Sequence, residues 1–355
     1  MYIVLAIIAF SLLIAVHELG HFTAAKLMKV RVNEFAIGMG PKLLKKQGKE
    51  TLYSLRAFPF GGFCTMEGQD EDSPDPRAFT SQKRWRRVII LFAGSFANFI
   101  FAYILILILT AGATGFVSTT ITNLADGFPN AGEQGLMAGD TIISLNGERL
   151  YYSDDFLMFM GLAESRGDKN ADIVIIRNGE KIEYKAFPLE QRDYTENGVT
   201  RFRYGITFGV VESSVWENIK FATYRTTNFV RLVRVSIAQL FSGAAGVRDL
   251  SGPVGIVGAI NSIGQSSRTF IDALENIIFF TAFIGVNLAV MNMLPIPALD
   301  GGRILFIAIS WAVEKIIRRK LNPKYEGYIH TGAMVLLLGF MVFIMVNDVV
   351  KLIYG

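Results

Sequence analysis

Val16-His17-Glu18-Leu19-Gly20-His21 lies inside an otherwise apolar run from Tyr2 to Leu27. Its reading decides how the rest of the chain is organised. In a helix, four residues of separation put His17 and His21 about 40° apart on one face, with Glu18 about 100° round from His17. All three side chains can converge on one point. Two imidazoles at that spacing suit tetrahedral Zn²⁺, and a neighbouring carboxylate can take a proton from water. The plain alternative is a pair of helix-packing histidines. Against it, ionisable groups inside a bilayer are costly and read as a functional site by default. His17 lies fifteen residues past Tyr2, about 23 Å along an axis that crosses about 30 Å of hydrocarbon, so the site sits nearer the far face.

The composition fits a spanning first helix. Hydrophobic residues make up 51% of the 355 and the mean hydropathy is +0.38, values that belong to an integral membrane protein and not to a soluble globule. The net charge of +4 is a topology signal and gives no reason to expect a nucleic-acid partner. Basic residues gather at Lys42, Lys45, Lys46 and Lys49, at Lys83, Arg84, Arg86 and Arg87, and at Lys315, Arg318, Arg319 and Lys320. By the positive-inside rule these loops are cytoplasmic. No basic residue precedes the first apolar core, so it is expected to stay as a span with its N-terminus outside and not to be cleaved as a signal peptide. Cys64 is alone, which excludes an intrachain disulfide and reads as a small hydrophobe.

Past Leu27, residues 28–87 carry short β-like runs punctuated by Gly38-Met39-Gly40-Pro41, Gln47-Gly48 and Pro59-Phe60-Gly61-Gly62, the pattern of hairpins followed by a polar linker. The apolar tip Phe58 to Cys64 either dips into the membrane or belongs to an ordinary cytoplasmic hairpin. Residues 88–111 form a second span containing Gly94-Ser95-Phe96-Ala97-Asn98. Its small residues serve helix packing, and Asn98 offers a polar contact near the site.

Residues 112–212 turn mixed and soluble in character, with Gly135 to Gly147, a helix-like stretch, a strand Ile173 to Arg177 and a hairpin turn at Asn178-Gly179. Residues 213–269 begin with an amphipathic segment, Trp216 to Phe241, whose Lys220, Arg225, Arg231 and Arg234 make it interfacial and not spanning. A third span, residues 270–300, ends in Asn292-Met293-Leu294-Pro295-Ile296-Pro297-Ala298-Leu299-Asp300-Gly301-Gly302. Two prolines and two glycines break the helix there, which is tolerated at membrane depth only where the backbone lines a cavity or is buried in protein. Asp300 is the expected third metal ligand; its alternative is a helix N-cap. Residues 301–331 then read as a cytoplasmic or interfacial helix and 332–355 as the fourth span, with His330 an interfacial residue.

Gly135 to Gly147 resembles the G-L-x-x-G-D-x-I-x-x-x-N-G run of bacterial PDZ domains. Taken in order, H-E-x-x-H in the first span, G-x-x-x-N in the second, a PDZ-like region, Ser251 to Ile256 and N-x-x-P-x-P-x-L-D-G-G resemble the site-2 protease family of intramembrane zinc metalloproteases, nearest to the bacterial regulator of sigma-E protease group. The resemblance implies a four-span helical membrane protein with one extracytoplasmic PDZ domain of α+β type and membrane-associated β-hairpins. It implies Zn²⁺ on His17, His21 and Asp300, Glu18 as the catalytic glutamate, and substrate contacts at Asn98 and Asn292; an exposed strand at Gly61, Gly62 and Phe63 would hold the substrate extended. It further implies single-span substrates such as anti-sigma factors already trimmed outside, contact with membrane lipid, and a place in the bacterial cytoplasmic membrane. Two departures stand out: Ser95 where the family often has Pro, and room for one PDZ domain where many members carry two.

Two other classes fit parts of the pattern. A non-enzymatic membrane PDZ adaptor would hold structural zinc, which normally takes four protein ligands. A zinc transporter would need more polar residues in the second and fourth spans than Asn98, Asn347 and Asp348.

Overall fold

The computed structural model describes all residues except 70–72, 197–198, 244–245, 247–251, 319–322 and 355. Arg319 and Lys320 of the third basic cluster, Ser251 of the 251–256 run and the side chain of His330 lie outside what is described. In chain order the elements are α1 (Tyr2–Leu27), β1 (Val32–Gln47), β2 (Leu52–Met66), α2 (Arg84–Thr110), β3 (Gly115–Leu124), β4 (Thr141–Leu145), β5 (Glu148–Arg149) and α3 (Ser153–Glu164). There follow β6 (Asn170–Arg177), β7 (Glu180–Pro188), β8 (Arg192–Glu196), β9 (Val199–Arg203), β10 (Ile206–Glu212) and α4 (Val215–Ser242). The last four are α5 (Pro253–Ser266), α6 (Phe270–Asn292), α7 (Asp300–Ile317) and α8 (Pro323–Tyr354). The chain divides into two compact units, Met1–Leu109 with Phe229–Gly355, and Thr110–Asn228.

In the first unit, four helices are long and apolar enough to cross a membrane: α1, α2, α6 and the Thr331–Lys351 stretch of α8. Hydrocarbon offers no hydrophobic drive between helices, so close backbone approach matters. A Cβ on Gly20 of α1 would stand 2.3 Å from the Ala93 carbonyl oxygen and 2.8 Å from the Ala97 Cβ of α2. Only glycine permits that crossing. Ala6, Leu13, Ile260, Ile277 and Ile284 form a buried cluster joining α1, α5 and α6, while Ala24, Ala25, Cys64, Met66, Ile90, Leu91 and Ile307 bind the end of α1 to β2, α2 and α7.

The expected breaks at Gly38 to Pro41 and Pro59 to Gly62 fall inside long strands. The glycines act there as bulge positions: Gly38, Gly40 and Gly61 have φ of 84°, 85° and 88°, and the register of β1 on β2 shifts repeatedly. The sheet folds on itself, so Phe35 to Ile37 have partners at Tyr53 to Leu55 and again at Gly62 to Cys64.

Four boundaries differ from the sequence reading, one of them the last helix, which begins at Pro323 and not at 332. The second span begins at Arg84 and not at 88, so Trp85, Arg86 and Arg87 are helical and not linker. The third ends at Asn292, and Asp300 opens the next helix instead of closing this one. Residues 253–266, expected as linker, form α5. Pro253 opens that helix, and the cap comes from far along the chain. Asp348 of α8, 3% exposed, accepts from the backbone N–H groups of Gly252 at 2.9 Å and Gly255 at 2.8 Å. A helix start that lacks its own capping side chain is thus satisfied by a carboxylate ninety-odd residues away.

In the second unit the strands run in the order β10-β3-β4-β6-β7, with β5 on β4 and a separate β8–β9 hairpin. α3 contributes Phe156, Phe159 and Met160 to a core with Ile142, Leu145, Ile173 and Ile175. Asn178 and Gly179 both take positive φ, 50° and 85°, as a type I′ turn between β6 and β7 demands. The loop Gly135 to Asp140 is held by Arg177: its Nε and Nη2 reach the two oxygens of fully buried Asp140 at 2.7 Å each, and its other N–H groups bond the carbonyls of Glu133 and Gly135. One arginine thereby fixes the polar backbone of a glycine-bearing loop whose Leu136 is fully buried in the core.

Candidate metal centre

The centre is assembled from α1, α2 and the start of α7, which the turn after α6 positions. His17 and His21, one turn apart on α1, are both buried. Their Nε2 atoms are 3.1 Å apart, and Asp300 Oδ2 lies 3.2 Å from each. Tetrahedral zinc with bonds of about 2.0–2.1 Å spaces its nitrogen and oxygen ligands about 3.3–3.4 Å apart. The three atoms therefore already form a near-equilateral triangle of the right size, and the residues fit the metal. Among the described residues no fourth His, Cys, Asp or Glu joins this group, which leaves one tetrahedral position without a protein ligand, the pattern of catalytic and not structural zinc.

Asp300 reaches the histidines because the chain after α6 doubles back. A Cβ on Gly301 would stand 2.3 Å from the Met293 carbonyl oxygen, and one on Gly302 2.1 Å from that of Ile296. Ala298 is held at a φ of 79°. This compact turn puts Asp300 in the first turn of α7, where the helix dipole stabilises a carboxylate by about 0.3–1 kcal/mol. The N-terminal placement and the ligand reading are thus compatible.

Each imidazole has a partner on α2. His21 Nδ1 lies 2.8 Å from the Ile90 carbonyl oxygen, an acceptor that places the proton on Nδ1 and leaves Nε2 for the metal. Asn98 is fully buried; its amide nitrogen is drawn 3.5 Å from His17 Nδ1, and its Oδ1 is buried without a partner. Amide orientation is assigned from the bonding network, and a His17 that ligates through Nε2 carries its proton on Nδ1 and needs an acceptor. Turning the amide supplies one and satisfies the orphaned oxygen. Asn98, which the sequence reading placed near the site, has no exposed surface and lies beside His17, where the turned amide would orient the imidazole.

Glu18 faces the strand. The Gly62 Cα lies so close that a Cβ there would be 3.7 Å from Glu18 Cγ, and the Glu18 carboxylate meets the backbone N–H of Cys64. Ser11 Oγ, further up α1, donates to the Pro59 carbonyl. Thus Pro59 to Cys64 is no free tip; it runs along α1 beside the centre. Gly61 packs on Met39, where a Cβ would be 2.8 Å from its Cγ, and the Phe63 ring lies 4.7 Å from the Arg56 guanidinium. Asn292 is half-buried at the last position of α6. Cys64 packs as a hydrophobe, and burial pushes its thiol up to about 12.

Gly94 was missed as part of the centre. A Cβ there would meet His21 Nε2 at 2.4 Å and His17 Cε1 at 2.8 Å, so α2 must present bare backbone to the ligand rings. The G-x-x-x-N spacing carried that signal, since it puts Gly94 and Asn98 one turn apart on the face of α2 that meets α1.

The profile of peptidase family M50 matches residues 5–340. A candidate zinc metalloprotease of Clostridium perfringens is 36% identical over 352 residues, covering 99% of both chains. One from Clostridium acetobutylicum is 37% identical, covering 98% of this chain and 97% of the relative, and one from Synechocystis is 34% identical, covering 98% and 94%. These matches run the length of both units and exclude the adaptor and transporter readings. The chain belongs to peptidase family M50, and it is a membrane-embedded zinc metalloprotease of the site-2 type.

Proposed function

We propose that this enzyme cleaves peptide bonds in or near the membrane span of single-span proteins, in regulated intramembrane proteolysis at a bacterial cytoplasmic membrane. The observation that carries the reading is the juxtaposition of a three-ligand centre, Glu18 and the Gly62 to Cys64 run of β2. Zinc held by His17, His21 and Asp300 supplies a Lewis acid for the scissile carbonyl and makes water a better nucleophile. Glu18 takes the proton of the attacking water and returns it to the departing amine nitrogen. The peptide groups of a membrane helix are protected by their own hydrogen bonds, so the substrate must unwind before it is cut. Gly61, Gly62 and Phe63 offer strand backbone for an extended segment, and Asn292 a polar side chain.

The basic clusters support cytoplasmic hairpins, and with them an N-terminus and a second unit outside. That unit is a PDZ domain on this reading. Support comes from its strand order with one packed helix, and from the Gly135 to Gly147 run tied by Arg177 to Asp140. Substrates of anti-sigma-factor type, trimmed outside first, fit such an arrangement.

The test is reconstitution of the full chain with a single-span substrate carrying a short outer stump. The parent should cut within or beside the span, whereas Glu18→Gln should keep zinc and lose cleavage by about 10²–10⁴-fold, the usual contribution of general acid–base catalysis. Undiminished cleavage by zinc-loaded Glu18→Gln would remove the mechanism.

A further inference from the structure

A cavity of about 670 Å³ lies at the C-terminal end of α1, with Lys26, Arg31, Lys49, Glu50, Tyr53 and Arg77 among its lining residues. It shares no residue with the metal centre. Its volume is that of a small-ligand site. Three stretches of chain build it: the end of α1 with the turn after it, the β1–β2 turn, and the segment before α2.

The lining is unbalanced in charge. Four cations face one carboxylate, Glu50, which bonds both Lys26 and, at 2.8 Å, Arg77. Asp75 adds a second, 3.4 Å from Arg31 and 4.0 Å from Arg77. Lys26 and Arg77 hold the Glu50 carboxyl below its ordinary range; at neutral pH these six groups carry a net two positive charges, and the Glu67 carboxylate, which also faces Arg31, brings the sum to one. Lys26 is fixed in place as well: its ammonium also donates to Thr51 Oγ1 at 2.7 Å and sits 5.7 Å from the Phe22 ring. Arg31 Nε is buried without a hydrogen-bond partner, yet 43% of the Arg31 side chain and 48% of the Arg77 side chain remain exposed. Two half-exposed guanidinium groups in an excess-positive hollow suit a tetrahedral oxyanion, which accepts several charge-assisted hydrogen bonds at once. Lys26 is the penultimate residue of the first span, the depth at which phospholipid phosphates lie.

We propose that this cavity binds the phosphate group of an anionic ligand, supplied by a phospholipid headgroup or by soluble phosphate, and that the bound anion ties the end of α1 to the β1–β2 turn. The proposal stands on the cavity and not on the protease reading, and its test reads binding alone. Full-length protein in a neutral detergent is titrated with dioctanoyl phosphatidylglycerol, with sodium phosphate, and with dioctanoylglycerol, which has the chains but no phosphate. Amine acylation of Lys49, referenced to exposed Lys45, is followed by mass spectrometry. Saturable protection of Lys49 by phosphatidylglycerol assigns a lipid headgroup; protection by sodium phosphate assigns a soluble source. Arg31→Gln with Arg77→Gln should weaken either at least about tenfold, the loss of one or more hydrogen bonds to a charged group. Protection by neither phosphate source, equal protection by dioctanoylglycerol, or unchanged affinity in the folded double variant overturns the proposal. If the double variant does not fold, the protection measurement on the parent decides alone.

Discussion

Gly94→Ala tests whether the closeness of α2 to the ligand rings is a requirement of the metal centre. The added methyl would stand 2.4 Å from His21 Nε2, 2.6 Å from His21 Cε1 and 2.8 Å from His17 Cε1. Ordinary contact for such atoms is about 3.5 Å, so either the imidazoles retreat by about 1 Å or the helices part by as much. Helix separation would break the Gly20 contact with Ala93 and pull Ile90 and Asn98 off both histidines. Ring movement destroys the triangle directly, since metal sites tolerate only about 0.2 Å of ligand displacement. Loss of an outer partner alone costs about 10–100-fold in metal affinity, and here both outer partners and the ligand spacing are disturbed. Zinc affinity should fall by at least about 100-fold and proteolysis with it. The measurement is zinc retained by full-length protein against a graded chelator, alongside helix content by circular dichroism. Gly258→Ala is the control, because a Cβ there meets nothing within 4 Å, and a Gly→Ala change in a helix interior otherwise stabilises by about 1 kcal/mol. If Gly94→Ala holds zinc within about threefold of the parent, the packing argument is wrong.

Asp300→Ala should lose zinc by at least about 100-fold, whereas a residue that acted only on the helix dipole would cost about 0.3–1 kcal/mol of stability and leave zinc stoichiometry intact; metal analysis beside a melting curve separates the two. Glu34 gives a pH dependence. Burial raises its pKa, but Ser54 at 2.7 Å, Arg56 at 2.8 Å and Lys42 at 3.1 Å outweigh that and hold it at about 2. Its folded value is depressed, so its contribution is present above about pH 4.5 and is lost as pH falls from there toward 2. With solvent screening this amounts to about 1–2 kcal/mol, and Glu34→Gln should flatten the melting temperature over that window. Asp348→Ala leaves two backbone N–H groups at the start of α5 without their acceptor and should destabilise by about 1–3 kcal/mol, read as a lower unfolding midpoint, with Asp348→Asn retaining much of the loss.

How much of this was legible in the sequence depended on whether the signal was local. H-E-x-x-H fixed its own geometry, because a helix puts residues four apart on one face wherever it lies. Asn178-Gly179 named its turn for the same reason. The β1–β2 region was half-read: its glycines mark breaks in a propensity pattern, but a positive-φ glycine inside a bulge looks the same as one in a turn until the partner strand is known. α5 was hidden because its capping group sits in α8. A segment that opens with glycine at the N-cap position, Gly252, followed by Pro253 reads as a linker, and Asp348 reads as a stray intramembrane charge. Both puzzles have one answer, visible only when the two segments meet. Asn98 was legible as a polar residue near the site, but its burial against His17 follows from how α2 crosses α1 and not from its own sequence neighbours.

The glycines explain why the centre needs residues from so many places. Gly20 and Gly94 bring α1 and α2 to backbone contact, and Gly301 and Gly302 let the turn after α6 fold onto the start of α7. None of the four can accept a methyl without moving backbone or a ligand ring. In a bilayer, where burying an ionisable group away from a partner costs several kcal/mol, His17, His21 and Asp300 are tolerable only if they arrive within bonding distance of one another as the helices pack. Side chains supply the ligands, but it is the absence of side chains at these four positions that sets the distances. The site is therefore better defined by H-E-x-x-H with its internal glycine, G-x-x-x-N and D-G-G taken together than by the three ligands alone. A chain that kept His17, His21 and Asp300 but carried alanine at Gly94 and Gly301 would have the ligands of a zinc protease without the means to converge them.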